Sequence, residues 1–122
     1  MNKPDVGPMP AEVPSELVVE DLVEGTGQES KAGDFVSVHY VGVAHSTGKE
    51  FDASYNRGEA FGFRVGGQQV IAGWDQGVAG MKVGGRRKLT IPPHLGYGSR
   101  GAGGVIKPNE TLVFVVDLVE VH

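Results

Sequence analysis

Residues 69–74 read Gln-Val-Ile-Ala-Gly-Trp and open a segment whose apolar residues follow a helical period. These residues recur at i, i+3, i+7 and i+10, on one face of a helix: Ile71, Trp74, Val78 and Met81. Gly80 predicts the C-terminal end of this helix. Two internal glycines, Gly73 and Gly77, each lower helix propensity by about 1 kcal/mol relative to alanine. The pattern therefore predicts a short helix that is held by packing against a sheet.

Trp74 is the only tryptophan of the chain, and no other side chain covers as much apolar area. Two roles fit it. It is either a core residue of an amphipathic helix or the floor of an apolar ligand pocket. Helical spacing does not separate these roles, because both require a buried indole.

The segments around the helix are predicted to form β-strands, over 17–23, 35–43, 61–65, 86–91 and 111–121, with a turn at 47–49 leading into 50–54. Period-two alternation places Val36, Val38 and Tyr40 on one face of their strand. In the last strand it separates Leu112, Phe114, Val116 and Leu118 from Val113, Val115, Val119 and Val121. Residues 94–110 form a long glycine-rich loop, a kind of segment that is often functional. Several antiparallel strands and one short helix predict an α+β fold.

The chain has 122 residues, which suits one folded domain. Four prolines and no aromatic residue lie within residues 1–16, so we predict an extended or mobile arm there and a folded domain over 17–122. The 20 glycines follow no period and predict many tight turns.

Composition excludes several classes of function. With no cysteine, neither disulfides nor thiolate chemistry are available. A net charge of −4 argues against a nucleic-acid partner. No apolar run approaches the ~20 residues of a membrane span, and the N-terminus lacks the pattern of a signal peptide. A cytoplasmic setting and no membrane association are therefore expected.

Motifs for common enzyme chemistry are weak or absent. Residues 96–101 match G-x-G-x-x-G, but Pro92 and Pro93 interrupt the strand that a dinucleotide site needs before this motif. No serine lies in a G-x-S-x-G elbow. The four histidines share no ligand spacing, so we predict no metal site.

Two polar features keep alternative interpretations open. Asp52 and Arg57 are either a surface ion pair worth about 0–1 kcal/mol or a charged pair beside an apolar pocket, and spacing alone favours the surface pair. Tyr40 and Tyr97 each either donate a hydrogen bond in a pocket or belong to the core.

Several separated motifs, taken in order, resemble one family. They are Val38-His39-Tyr40-Val41-Gly42, Phe51-Asp52-Ala53-Ser54, Val70-Ile71-Ala72-Gly73-Trp74, Met81-Lys82-Val83-Gly84, Lys88-Leu89-Thr90-Ile91-Pro92, Tyr97-Gly98 and Thr111-Leu112-Val113-Phe114. The chain from about residue 17 onwards is similar to the FK506-binding proteins, which are peptidyl-prolyl cis/trans isomerases. The resemblance implies a strongly twisted antiparallel sheet wrapped around one short helix.

The resemblance also implies a site between the helix and the sheet. Its catalytic positions would be Tyr40, Phe51, Asp52, Tyr97 and Phe114. Its substrate-binding positions would be Arg57, Phe61, Val70, Ile71, Trp74, Val105 and Ile106. Within this set Trp74 would be the floor, while the Tyr97 hydroxyl and the Ile71 N–H would bind ligand carbonyls.

The implied activity is rotation about X-Pro bonds in peptides and unfolded proteins by a monomer that needs no cofactor. FK506- and rapamycin-type macrolides are the implied ligands. A binding module of the same fold, acting with little catalysis, is the second hypothesis. At the loop tip, where the family often has a histidine and a proline, this chain reads Ala102-Gly103. This departure bears on substrate preference and macrolide affinity.

Overall fold

The fold is known from a computed structural model that describes residues 3–103 and 105–122. Its elements are β1 (Val18–Val23), β2 (Phe35–Ala44), β3 (Glu50–Ala53), β4 (Phe61–Arg64), α1 (Ala72–Val78), β5 (Arg86–Ile91) and β6 (Leu112–Val121). Two 3-10 turns, Ser54–Asn56 and Pro93–Leu95, follow β3 and β5. The strands form a sheet in the order β1-β5-β6-β2-β3, and β4 also pairs with β2. Every pairing is antiparallel, which confirms the predicted α+β class.

The inner face of the sheet carries the main core, against which α1 packs. The predicted alternation is confirmed here, because Val36, Val38 and Tyr40 are all buried in one cluster with Trp74. A second, smaller cluster on the outer face contains Val41, Val43, Ala53, Val113 and Val115. Both faces of the two central strands are therefore buried.

The helix is shorter than the predicted apolar face. It spans Ala72–Val78, so Ile71 is its N-cap residue and Met81 lies beyond its end, although Met81 is still buried. Gly80 follows the cap residue and has a φ of 90°, a left-handed conformation that suits glycine after a helix end. The face continues past the helix because the following turn folds back onto the same core.

The predicted face of Val121 is wrong. Val36 pairs with Val121 and Val38 pairs with Leu118, so β6 carries one extra residue between these pairs. The extra residue is Val119, which is exposed. This β-bulge reverses the alternation, and Val121 packs against the main core instead of joining Val113 and Val115 on the outer face.

The long loop is better ordered than its glycine content predicts. Beyond its initial 3-10 turn, Ala102 and Ile106 form an isolated antiparallel bridge. At the end of the loop Glu110 is buried. Its carboxylate accepts two hydrogen bonds from Ser46, one from the backbone N–H at 3.1 Å and one from the side-chain hydroxyl at 2.5 Å. These contacts hold the middle of the loop and its C-terminal end.

The N-terminal arm is extended and lies along the outer face of the sheet. Val6 is 8% exposed and belongs to the outer-face cluster. The Nε2 atom of His45 donates a hydrogen bond to the Pro10 carbonyl at 2.7 Å. The arm therefore lies on the side of the sheet away from α1.

Candidate functional site

A pocket of about 190 Å³ opens where the N-terminal end of α1 meets the inner face of the sheet. Residues from four strands, from α1 and from both flanking loops line it: Tyr40, Phe51, Asp52, Phe61, Gln69, Val70, Ile71, Trp74, Tyr97 and Phe114. Eight of these side chains are aromatic or aliphatic, and they come from distant parts of the sequence. Only the folded chain brings them together.

Trp74 is the centre of the pocket wall. Its ring is edge-on to that of Tyr40 at a centroid distance of 4.8 Å, to Phe114 at 5.3 Å and to Phe61 at 6.0 Å. Such edge-to-face packing suits aromatic quadrupoles. Trp74 is 4% exposed and also belongs to the main core. The two roles that the sequence left open therefore coincide in one side chain.

The buried Nε1–H of Trp74 has no nitrogen or oxygen acceptor among the described residues. Its surroundings are aromatic rings, whose faces are weak acceptors. The pocket floor is consequently apolar even at its one buried donor.

A glycine makes room for the aromatic wall opposite the helix. A Cβ on Gly42 would lie 2.5 Å from Cε1 of Phe114 and 2.8 Å from Cζ of Phe51. These two rings meet edge-to-face with centroids 5.5 Å apart. Any larger residue at position 42 would separate β2 from both rings.

Three polar groups close one end of the pocket. The Tyr40 hydroxyl donates to Oδ2 of Asp52 at 2.5 Å, while Arg57 donates to Oδ1 of Asp52 at 2.7 Å and to the Tyr40 hydroxyl at 2.9 Å. The 3-10 turn after β3 carries the chain from Asp52 to Arg57 and so determines this geometry. The ion pair is half-exposed, yet it also holds a pocket tyrosine.

The ionisation states follow from these contacts. Burial and then Asp52 raise the pKa of Tyr40. Burial by itself would raise the pKa of Asp52, but hydrogen bonds from Tyr40 and Arg57 outweigh it and hold that pKa below the usual 3.8. Hydrogen bonds to Tyr40 and Asp52 raise the pKa of Arg57. At neutral pH the cluster therefore contains a carboxylate, a guanidinium and a neutral phenol.

Two hydrogen-bond donors at the pocket lack a partner within the described residues. Tyr97 is 41% exposed, and burial raises the pKa of its hydroxyl, with a smaller contribution from Asp52, so it stays protonated at neutral pH. The N–H of Ile71 precedes α1 and donates to no described group, whereas the Ile71 carbonyl accepts from Trp74 and Asp75. The pocket thus offers an apolar floor with two donors at its edge.

Nine of the twelve predicted positions lie in the pocket lining. Arg57 does not line the pocket, but it contacts two residues that do, Asp52 and Tyr40. Val105 is 61% exposed, and Ile106 is buried in the core, so neither lines the pocket. Sequence reasoning assigned no role to Gln69, which does line it, or to Phe63, whose ring centroid lies 5.6 Å from that of Trp74.

A second cleft of about 140 Å³ lies between β1 and the turn after α1. Arg87 enters it, but its guanidinium already binds Asp21 at 2.6 Å and the carbonyls of Gly77 and Ala79. The charge of Arg87 is therefore matched within the cleft. Over residues 3–103 and 105–122, no three His, Asp or Glu side chains cluster as metal ligands. In that same part of the chain no helix is long and apolar enough to cross a membrane.

Comparison with known proteins identifies a family and a close relative in sequence. Residues 26–119 match the model of the family described as FKBP-type peptidyl-prolyl cis-trans isomerase. The chain is 61% identical over 122 residues to an FK506-binding protein of Streptomyces anulatus, a match that covers 99% of this chain and 98% of that protein.

Solved structures show the same similarity. The crystal structure of AtFKBP13 superposes with a TM-score of 0.81 and 42% identity, over 90% of this chain and 96% of that one. A peptidyl-prolyl cis-trans isomerase from Pseudomonas syringae pv. tomato gives a TM-score of 0.76 and 36% identity, over 86% of this chain and 74% of the other.

Proposed function

The chain belongs to the FKBP-type peptidyl-prolyl cis-trans isomerases, and we propose that it catalyses rotation about X-Pro bonds in the aromatic pocket around Trp74. The observation that carries this assignment is the edge-to-face arrangement of Tyr40, Phe61 and Phe114 around one buried indole, with unpaired donors at the rim. A proline ring matches such a floor, because it is apolar and compact.

The mechanism follows from the electronic structure of the bond. Rotation requires loss of amide resonance, with a barrier of ~18–20 kcal/mol and an uncatalysed time of tens to hundreds of seconds. The twisted amide has less charge separation than the planar one, so an apolar pocket disfavours the planar form more. Each 1.36 kcal/mol removed from the barrier raises the rate tenfold.

The donors at the rim hold the rest of the peptide. The Tyr97 hydroxyl and the Ile71 N–H each bind a carbonyl that flanks the proline, so the chain on either side is fixed while the bond rotates. Asp52 and Arg57 hold the Tyr40 ring against Trp74. The reaction needs no nucleophile, because no covalent bond is made or broken.

We extend the proposal to the ligands, setting and role of the protein. A relative is named as an FK506-binding protein, and FK506- or rapamycin-type macrolides would occupy the same pocket through a proline-like ring. Proline-containing peptides and unfolded proteins are the proposed substrates, and assistance of protein folding in the cytoplasm by a monomer is the proposed role. Ala102 and Gly103 remove the ring-bearing side chains expected at the loop tip, and so shift substrate preference.

A protease-coupled isomerisation assay on a Pro-containing peptide tests the function directly. We expect activity that FK506 inhibits competitively. Phe51→Ala removes an aromatic wall and is expected to lower kcat/KM about tenfold, which corresponds to ~1.4 kcal/mol. Tyr97→Phe removes one hydrogen bond of ~0.5–1.5 kcal/mol and is expected to lower it about two- to tenfold.

Phe35→Ala is the matched control, since Phe35 is a half-exposed aromatic that does not line the pocket. Its activity should equal that of the wild type. Normal rates in both pocket variants, with folding intact by circular dichroism, would refute the assignment of this pocket.

A further inference from the structure

Residues 3–10 of the arm pack against part of the outer face of the sheet. Its central contact is Val6, which is 8% exposed and packs in the cluster that contains Ala53 and Val113, with Tyr55 at its margin. Without Val6 this cluster would expose apolar side chains to water. The arm therefore belongs to the fold of this face.

The arm sequence itself favours the docked shape. The Asp5 side chain accepts a hydrogen bond from the Gly7 N–H at 2.9 Å, which closes an Asx-turn with Val6 at its centre. Pro4 and Pro8 flank this turn and restrict φ on both sides. Little conformational entropy is therefore lost when Val6 enters the cluster.

A second contact ties the arm to the chain around β3. The Lys3 ammonium lies 2.9 Å from a carboxylate oxygen of Glu50 and donates to the Asn56 side chain at 2.9 Å. Asn56 in turn donates to Glu50 at 2.9 Å, which closes a triangle of contacts. Lys3 and then Asn56 hold the pKa of Glu50 below its usual range, so the carboxylate stays ionised at neutral pH.

The two contacts bracket residues 50–57. The other anchors of this segment follow β3: the Ser54 hydroxyl accepts a hydrogen bond from the Tyr40 N–H at 2.7 Å, and the Tyr55 hydroxyl donates to Asp117. β3 has four residues at the edge of the sheet, and it pairs only with β2, with a register shift before its last pair. This segment supplies Phe51 and Asp52 to the pocket, and Arg57 follows it directly. Val6 belongs to the same buried cluster as Ala53, and Lys3 contacts Glu50 and Asn56, near the two ends of the segment.

We propose that the arm is a positioning element of the active site, which holds residues 50–57 from the outer face so that Phe51, Asp52 and Arg57 keep their geometry on the inner one. The inference rests on the proposed pocket. It makes Val6 and Lys3 positioning residues for the isomerase reaction, although both lie on the side of the sheet away from substrate. A misplacement of catalytic groups by about 1 Å can lower a rate up to a hundredfold, so a loosened edge strand has a measurable effect.

The test uses the full chain with Val6→Asp, which places a charge in the outer-face cluster and releases the arm. Val13→Asp is the matched control, since Val13 lies in the same N-terminal arm but outside the docked residues 3–10, and is 59% exposed. Val6→Leu is the conservative variant. The measurements are kcat/KM, FK506 affinity by Trp74 fluorescence, and hydrogen exchange of peptides that cover 50–58 and 112–118.

We expect Val6→Asp to lower kcat/KM and FK506 affinity about three- to tenfold, with faster exchange at 50–58 and unchanged exchange at 112–118. Val13→Asp should have wild-type kinetics and exchange, and Val6→Leu should retain most of the activity. Faster exchange in both peptides would mean general destabilisation, and Val6→Ala, a milder change, then decides by the same comparison.

Unchanged kinetics with faster exchange at 50–58 would overturn the positioning role, because the segment would be loosened without consequence. Unchanged exchange would overturn it as well, since the arm would not hold the segment. If the proposed function is wrong, the wild-type protein has no isomerase activity. The exchange measurement then still decides whether the arm holds residues 50–57.

Discussion

Replacement of Gly73 by alanine tests the packing that places Trp74 under the pocket. Gly73 does not have a left-handed φ, so alanine would fit its backbone conformation. In an isolated helix the change would be favourable by about 0.8–1 kcal/mol. The glycine is required for steric reasons only, because a Cβ there would lie 2.6 Å from Cγ2 and 2.7 Å from Cδ1 of Ile91.

The size of the effect follows from these distances. Ordinary contact begins at 3.4 Å, so α1 or Ile91 must move by about 0.8 Å. Ile91 is fully buried, and overpacking of this kind costs about 1–3 kcal/mol. After the gain in helix propensity, we expect a net loss of up to about 2 kcal/mol, or up to about 8 °C in Tm. The displacement would shift Trp74 relative to the other pocket walls, and kcat/KM should fall about ten- to hundredfold.

Gly77→Ala is the matched comparison within the same helix. Its Cβ would meet Cδ2 of Leu89 at 2.7 Å and Cδ1 at 2.8 Å, which are the ends of a more flexible side chain. We expect a smaller loss of kcat/KM than for Gly73→Ala, measured by the protease-coupled assay and by thermal unfolding monitored by circular dichroism. Wild-type kcat/KM and FK506 affinity in Gly73→Ala would refute the reasoning that close helix–sheet contact positions the indole.

Three further predictions concern the pocket and the opposite face. Trp74→Leu should weaken macrolide binding more than it lowers the free energy of unfolding. Binding calorimetry and denaturant titration measure the two effects, and a large loss of stability with intact affinity would contradict the prediction. Asp117→Asn should destabilise the protein by about 3 kcal/mol in denaturant titration, because Asp117 is 1% exposed and pairs with Arg86 at 2.6 Å. Its activity per folded molecule should be unchanged, and a specific loss of kcat would argue against the assignment. Since the pKa of Asp52 is lowered and that of Tyr97 is raised, kcat/KM should be level between about pH 5 and 9. The contribution of Asp52 to stability is present above its unfolded pKa of about 3.9 and is lost as pH falls through the lower folded value. An inflection in kcat/KM between about pH 5 and 9 that disappears in Tyr97→Phe would contradict the predicted level profile.

The pocket shows which residues sequence patterns can assign. Val36, Val38 and Tyr40 were placed on the inner face by alternation, because a strand exposes its residues to two faces in turn. Motif resemblance to a known family then named nine residues that the fold brings together in the lining. No sequence pattern assigns Gln69 or Phe63 to the pocket. Gln69 lies outside any periodic pattern, and the alternation in its strand predicts only that Phe63 faces the core.

The errors arise where distant strands meet. Val121 changes face because β6 accommodates one extra residue opposite β2, and neither strand reveals the bulge by itself. Pairing register depends on contacts between residues far apart in the chain, which local periodicity does not report. Val105 and Ile106, both predicted site residues, differ for a local reason: next to the bridge between Ala102 and Ile106, Val105 is exposed and Ile106 is buried.

The sequence by itself determined the elements of this protein: a short glycine-containing helix that begins at the Trp74 motif, the strands around it, and the apolar faces they present. Local sterics and period decide these features. Only the tertiary structure decided that Asp52 and Arg57 join Tyr40 at the pocket, and that the arm docks Val6 on the opposite face. Those arrangements depend on burial and hydrogen bonding between segments that meet only when the sheet has formed.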